Sequence, residues 1–200
     1  MAKNLFYIIC LLLISAKCAH VERIEGVRFS DAYNSCSDES YDFGEIITIG
    51  DPGDKFMISL PYEWVIQETY SDTLYGMIAT NHYESRAQPE TFMLISVTGY
   101  QTADSLMAYF KKEVNAFKKD RKMRIEEAGR ITIKDQPGLW LKFKSKESGV
   151  DVMSVVVYLK NPEKDEIYLI QTSVYLSDNY MNKLCYLKRL VTSFEIVGLE

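Results

Sequence analysis

The side chains whose ordinary pKa suits a general base near neutral pH, and which are also common metal ligands, are those of two histidines, His20 and His82. His20 lies in a polar N-terminal segment, which leaves His82 as the candidate within the folded domain. A zinc site needs further thiolate, imidazole or carboxylate ligands at set spacings, and no such spacing surrounds His82. We therefore expect no metal at this residue.

The sequence also lacks the short motifs that mark common catalytic sites. It contains no Gly-x-Ser-x-Gly elbow, Walker loop, dinucleotide fingerprint or His-Glu-x-x-His pair. A catalytic triad can assemble in space without any motif, so a hydrolase site around His82 stays open as an alternative. We expect a protein without a cofactor, and we favour a noncatalytic function.

His82 belongs to the polar segment "TNHYESRAQPET", residues 80–91, between two predicted strands. A connection of about 12 residues is long for two neighbouring strands, and such loops often carry recognition residues. We therefore identify His82, Tyr83 and Arg86 as candidate partner-binding residues. The alternative is a solvated loop without a specific role.

A second candidate for partner binding is Trp140, in the predicted strand "GLWLKFK". Alternation along a strand places Leu139, Leu141 and Phe143 on one face and Trp140 with two lysines on the other. We predict that Trp140 points outward, because an aromatic side chain between cations suits a binding face. Burial of this face beneath a helix is the alternative.

The chain contains four cysteines, of which Cys36 and Cys185 lie beyond the N-terminal apolar segment. If the protein is exported, these two remain in a compartment that permits disulfides. A bridge between them would close a loop of about 150 residues and would stabilise the fold by at most about 5 kcal/mol through chain entropy. Alternatively, Cys185 is a small apolar residue on the buried stripe of a helix.

The first residues have the pattern of a secretory signal peptide. Lys3 precedes the apolar run "LFYIICLLLI", which is followed by the small residues Ser15 and Ala16. As a helix, this run would be about 15 Å long, half of a hydrocarbon core of about 30 Å. Cleavage after Cys18 would place Ala16 and Cys18 at positions -3 and -1. We predict a signal peptide over residues 1–18 and export to the periplasm or out of the cell.

Cys18 also allows a second interpretation of the N-terminus. In a bacterial lipoprotein signal, small residues directly precede a cysteine that becomes lipid-modified. Here Lys17 stands in the position before Cys18, which departs from that pattern. We therefore predict that Cys18 is removed, and we keep lipidation of Cys18 as the alternative. We expect contact with a membrane only through such a lipid anchor.

The overall charge excludes one large class of partners. The formal net charge is -5 and the pI is about 5.2, whereas nucleic-acid binding depends on a basic surface. We expect no nucleic-acid partner. The composition, 47% hydrophobic and 26% charged, is that of an ordinary globular domain, for which we expect a monomer.

The pattern of apolar residues predicts one α+β domain over residues 46–200, preceded by a polar tether over residues 19–45. Alternating apolar positions in "FMISL", "YGMIAT", "TFMLISVTG" and later segments indicate strands. A repeat of three to four residues from Leu106 to Phe117 indicates an amphipathic helix, and a second stripe begins at Tyr180. We predict an α/β/α sandwich with a central, mostly antiparallel sheet of about seven to nine strands and two main helices.

The segments "FMISLPYEW", residues 56–64, and "KDQPGLWLKFK", residues 134–144, occur in an order of strands and helices that resembles the PsbP-like and Ran-binding Mog-like superfamily. The resemblance covers residues 46–197. It implies an α/β/α sandwich around an antiparallel sheet and an accessory or binding role. A fold alone does not determine the activity or the partner.

Three functions are consistent with these observations. The leading hypothesis is a noncatalytic binding or accessory protein of the cell envelope or secreted space, with a protein partner. The first alternative is an envelope lipoprotein that binds a small ligand or lipid between helix and sheet, and the second is the hydrolase around His82. A large apolar pocket would favour the first alternative, and a Ser or Cys within hydrogen-bond reach of His82 would favour the second.

Overall fold

A computed structural model describes residues 23–30, 36, 44–51, 53–70, 74–81, 91–147 and 149–198. The strands within these ranges are β1 (Arg23–Ile24), β2 (Val27–Ser30), β3 (Ile46–Gly50), β4 (Phe56–Pro61), β5 (Val65–Tyr70), β6 (Leu74–Thr80), β7 (Met93–Gln101), β8 (Met123–Ile133), β9 (Gln136–Glu147), β10 (Val150–Lys160), β11 (Glu166–Tyr175) and β12 (Glu195–Ile196). The helices in the same ranges are α1 (Leu106–Lys119) and α2 (Tyr180–Thr192).

Nine strands form one sheet in the order β1-β2-β8-β9-β10-β11-β7-β6-β5, and β12, β4 and β3 form a smaller one. The pairs in the large sheet are antiparallel except for β2 and β8, which run parallel. The strands β8 and β9 are joined through Lys134 and Asp135, which both have positive φ, as a two-residue hairpin turn requires. Pro137 and Gly138, which follow this turn, lie inside β9.

Helix α1 packs on one face of the large sheet, across β8, β9 and β10. It begins after Ser105, whose side-chain oxygen accepts a hydrogen bond from the backbone N–H of Ala108 at 3.2 Å. Phe110 and Val114 lie on its buried side, fully enclosed in an apolar cluster with the sheet. This stripe is the one that the sequence periodicity predicts.

The opposite face of the sheet carries α2 and the smaller sheet. Leu184, Leu187 and Val191 of α2 share one apolar cluster with Phe56 and Ile58 of β4. The large sheet therefore has α1 on one face and α2 with the smaller sheet on the other. The predicted α+β sandwich, with a mostly antiparallel sheet and two main helices, is confirmed.

The N-terminal boundary of the fold differs from the predicted tether over residues 19–45. Residues 23–30 form β1 and β2, and Ile24, Val27 and Phe29 are buried against the α1 side of the sheet. The Phe29 ring meets Phe110 edge-on, with ring centroids 6.4 Å apart. Strands this short contain too few residues for a period to be recognised among charged neighbours, so the tether prediction is wrong for this segment.

Within the ranges given above, no helix combines the length and the apolar character needed to cross a membrane.

Candidate partner-binding surface

Trp140 is a core residue, and the prediction that it points outward to bind a partner is wrong. Its side chain is 0% exposed, and its indole Nε1 donates a hydrogen bond to the carbonyl oxygen of Arg130 at 3.1 Å. The alternation itself is as predicted, since Trp140 lies in the α2-side cluster and Leu139 and Leu141 in the α1-side cluster. Alternation shows which residues share a face. It does not show that a second layer covers that face.

The predicted recognition residues His82, Tyr83 and Arg86 lie outside the described residues, as does Cys18. The two ends of their segment are described, and they are held together. The side-chain amide of Asn81 donates to the carbonyl of Thr91 at 2.8 Å, and its Oδ1 accepts from the backbone N–H of Met93 at 2.9 Å. Asn81 therefore closes the base of the connection between β6 and β7.

A disulfide joins Cys36 to Cys185, with Cα atoms 5.5 Å apart. This separation lies in the ordinary range for a disulfide. The bridge links the segment that follows β2 to α2, across 149 positions of sequence.

One half of the α1-side face of the large sheet has no covering element among the described residues. The strand register aligns Gln67, Ile78, Ser96 and Gln171 in one row, which continues to Val156 on β10 beneath α1. Because α1 covers β8 to β10, the part of the row on β5, β6, β7 and β11 stays partly or fully exposed. We call this uncovered area of β5, β6, β7 and β11 the open half-face. It is formed by Val65, Gln67, Thr69, Gly76, Ile78, Thr80, Leu94, Ser96, Thr98, Tyr100, Leu169 and Gln171, with the buried Ser173 at its inner edge.

None of the residues that form the open half-face is charged. Charge is otherwise common at exposed positions: Glu68, which points to the other side of the same edge strand, is exposed. Ile78 is 42% exposed near the middle of the surface. Depletion of charged residues is what distinguishes the core of a protein interface from ordinary surface. A partner can cover this surface without removing water from any ion.

Hydrogen bonds hold the inner edge of the open half-face in place. The hydroxyls of Ser154 and Ser173 lie 2.8 Å apart, and the Gln171 side-chain amide donates to Ser173 Oγ at 3.2 Å. A local pattern could have indicated that one face of β6 is uncharged, because the alternate positions Gly76, Ile78 and Thr80 carry no charge. They could not indicate the surface, because it depends on the pairing of β7 with β11, which are distant in sequence.

A second polar group lies on the opposite, α2-side face of the sheet and contains Lys55, Glu166 and two tyrosines. Lys55 Nζ lies 3.4 Å from Glu166 Oε1 and 3.8 Å from the centre of the Tyr75 ring. The Tyr168 hydroxyl donates to Glu166 Oε2 at 3.1 Å. Burial raises the pKa of Tyr168 to about 12 and raises the pKa of Tyr75 further. Both phenols stay protonated near neutral pH, so neither tyrosine serves as a general base there.

Two clefts lie on the surface of the described residues. One of about 130 Å³ lies beside Ile133, Leu159 and Phe194, well below the usual 300–1,000 Å³ of ligand sites. The other, of about 460 Å³, is lined partly by Lys164, Asp165 and Glu166 and is therefore not an apolar pocket. Neither cleft has the size and the apolar lining that the lipid-binding alternative needs. The described residues also include no group of three or more His, Cys, Asp or Glu side chains placed to hold a metal ion.

Comparisons with known proteins give similarity in structure alone. No protein-family sequence profile matches the chain, and no curated protein matches it in sequence. Cyanobacterial PsbP (CyanoP) from Synechocystis sp. PCC 6803 is similar with a TM-score of 0.52 and 13% identity, over 82% of this chain and 98% of that chain. The Saccharomyces cerevisiae Ran-binding protein Mog1p is similar with a TM-score of 0.52 and 14% identity, over 76% and 96%.

LpqN, which is involved in cell envelope biogenesis of Mycobacterium tuberculosis, is similar with a TM-score of 0.52 and 14% identity, over 77% of this chain and 91% of that chain. Identities this low show the fold and leave the partner and activity open. The resemblance deduced from residues 46–197 is confirmed at that level. The chain has the PsbP/Mog1-like fold.

Proposed function

We propose that this chain is a noncatalytic binding or accessory protein of the cell envelope or secreted space, and that it holds a protein partner on the open half-face. The observation that carries the proposal is the absence of charge from that surface, which spans β5, β6, β7 and β11. An uncharged sheet surface with the exposed Ile78 near its middle suits contact with another protein.

Export is the second part of the proposal. The bridge between Cys36 and Cys185 supports it, because disulfides persist in oxidising compartments. The predicted signal peptide over residues 1–18 supports it independently. The similar protein LpqN has a role in the cell envelope, and we extend that setting to this chain as part of the proposal.

Affinity capture tests the binding surface. The oxidised chain from Ala19 onward is immobilised and exposed to envelope extract of the native host, and captured proteins are identified by mass spectrometry. Thr98→Lys places a cation on the open half-face, and Thr48→Lys places one at an exposed position of β3 as the matched control. We expect the unmodified chain and the control to capture the same discrete protein, and Thr98→Lys to lose it. Equal capture by all three would contradict the proposal.

Intact-mass measurement of the protein from the native host tests its processing. A mature chain that begins at Ala19 is the expected result. A chain that begins at Cys18 and carries acyl groups would show that the protein is the lipoprotein of the alternative hypothesis and not a soluble exported protein. A mass that begins at Met1 would contradict export by either route.

A further inference from the structure

One flank of α1 borders the open half-face and carries Tyr109 and Glu113, and Tyr109 packs against one tyrosine of β7 and one of β10. Tyr109 and Glu113 are four residues apart on α1 and therefore lie on the same side of the helix. The Tyr109 ring is 6.4 Å from Tyr100 of β7 and 6.3 Å from Tyr158 of β10, centre to centre. Tyr100 belongs to the open half-face, so this cluster is continuous with it.

Glu113 is a partly buried carboxylate that lacks a cation. Within the part of the chain that the structure describes, it has neither an ion pair nor a hydrogen bond, whereas Lys112 beside it pairs with Asp104. Burial raises the pKa of Glu113, because it is unfavourable to hold a charged carboxylate away from water. A cation brought by a partner would offset that cost.

The three tyrosines near Glu113 are neutral, and Tyr100 and Tyr109 are the two that are not fully buried. Burial first, and the charge of Glu113 second, raise the pKa of Tyr109 to about 12 and the pKa values of Tyr100 and Tyr158 above their usual range. The Tyr158 hydroxyl is fully buried and has no hydrogen-bond partner among the described residues. The phenols therefore stay uncharged, and Glu113 is the charged group of the cluster.

We propose, resting on the proposed function, that the protein partner places an arginine side chain beside Glu113 and against the rings of Tyr100 and Tyr109. A guanidinium is planar and weakly hydrated, so it stacks on aromatic rings while it pairs with a carboxylate. A lysine ammonium is more strongly hydrated and lacks the planar fork, and it suits a partly buried aromatic site less well. The partner therefore presents an otherwise uncharged surface with one arginine at its edge.

The size of the open half-face supports a protein segment that reaches this wall. Four strands about 4.8 Å apart, over about seven residues of 3.4 Å, give a surface of about 450 Å². A stable interface buries about 800 Å² on each partner. Contact confined to the strands would fall short of that value, so a specific partner must also contact neighbouring surface, and the α1 flank adjoins it. The acidic charge of the chain, -5, favours a partner with complementary basic groups.

The test is a titration followed by ¹H–¹⁵N correlation spectra of the oxidised chain. The probes are Nα-acetyl-argininamide, the neutral analogue Nα-acetyl-citrullinamide and Nα-acetyl-lysinamide. We expect the arginine probe to shift the amide signals of Tyr100 and Tyr109 in a saturable manner, with citrulline at least tenfold weaker and lysine intermediate. Glu113→Gln should weaken the arginine probe at least tenfold, and Glu63→Gln, at an exposed position in the turn after β4, should not.

Three results would overturn the inference: no saturable shift at these tyrosines, equal binding of the citrulline probe, or unchanged binding by Glu113→Gln. Sedimentation of the chain alone measures its oligomeric state. A dimer that Glu113→Gln dissociates would show that a second copy of the chain, and not a different protein, occupies this site. The capture experiment separates this inference from the proposed function. A partner lost by Thr98→Lys and retained by Glu113→Gln contradicts the arginine contact only, whereas equal capture by Thr98→Lys contradicts the binding surface itself.

Discussion

Cys36 and Cys185 join the N-terminal end of the fold to α2, on two segments that are 149 positions apart in sequence. The bridge restricts the unfolded chain because it closes a long loop. We expect reduction to lower the free energy of unfolding by about 2–5 kcal/mol. Urea unfolding with and without dithiothreitol measures this difference. The double variant Cys36→Ser/Cys185→Ser is the control and should not respond to the reductant. An unmodified chain with the same midpoint in both conditions would show that the bridge does not stabilise the fold.

Replacement of Trp140 should affect stability and leave partner binding intact. The side chain is fully enclosed and donates a hydrogen bond to the Arg130 carbonyl. Trp140→Phe therefore removes some of its apolar contacts and also removes this hydrogen bond. We expect a loss of about 1–3 kcal/mol in the free energy of unfolding. Chemical denaturation provides the value, and capture of the partner by the folded variant provides the comparison. A stable variant that no longer captures the partner would restore Trp140 as a binding residue.

The ring of Tyr75 lies over Gly99, in the space that a Cβ at Gly99 would occupy. Tyr75 is itself packed against Phe56 and Tyr168, with ring centres about 6 Å apart, and has little room to move. We expect Gly99→Ala to destabilise the fold by about 1–3 kcal/mol, the usual cost of overpacking. Gly50→Ala is the control, because the nearest atom to its Cβ would be 4.0 Å away. Equal unfolding midpoints for the two variants would contradict this packing.

Glu113 should make the stability of the fold depend on pH. Its pKa is raised in the folded state, so its contribution is fully present below the pKa of the unfolded chain and is lost as the pH rises through the folded pKa. We therefore expect Glu113→Gln to be slightly more stable than the unmodified chain at pH 7, with a smaller difference below pH 4. Thermal unfolding of both proteins across this range measures the difference. A variant that is less stable at pH 7 would show that Glu113 has a stabilising partner.

The sequence predicts the elements of this fold better than it predicts their surroundings. The alternation of Phe56, Ile58 and Leu60 in β4 and the stripe of Phe110 and Val114 in α1 need only local periodicity, and both occur as predicted. These positions sit in elements long enough for a period to be recognised. The same signals support the resemblance that the structural comparisons confirm.

Other features depend on contacts that no local pattern contains. Thr102 and Ser105 are both residue types that cap helices, and the structure shows that Ser105 caps α1 whereas Thr102 accepts a hydrogen bond from the backbone N–H of Asp104. The layer that covers Trp140 consists of α2 and the small sheet. The open half-face exists only because β11 lies beside β7, and the lack of a cation at Glu113 can be recognised only once the strands and α1 are assembled.

Photo-crosslinking in the native host tests the binding surface most directly. A photoreactive phenylalanine analogue is placed at Ile78, which is 42% exposed on the open half-face, and separately at Tyr62, which is 63% exposed in the turn after β4. We predict one discrete protein adduct from the position of Ile78 and none from the position of Tyr62, and loss of the adduct when Thr98→Lys is added. A partner that crosslinks from position 62 and not from position 78 would contradict the assignment of the open half-face as the binding surface.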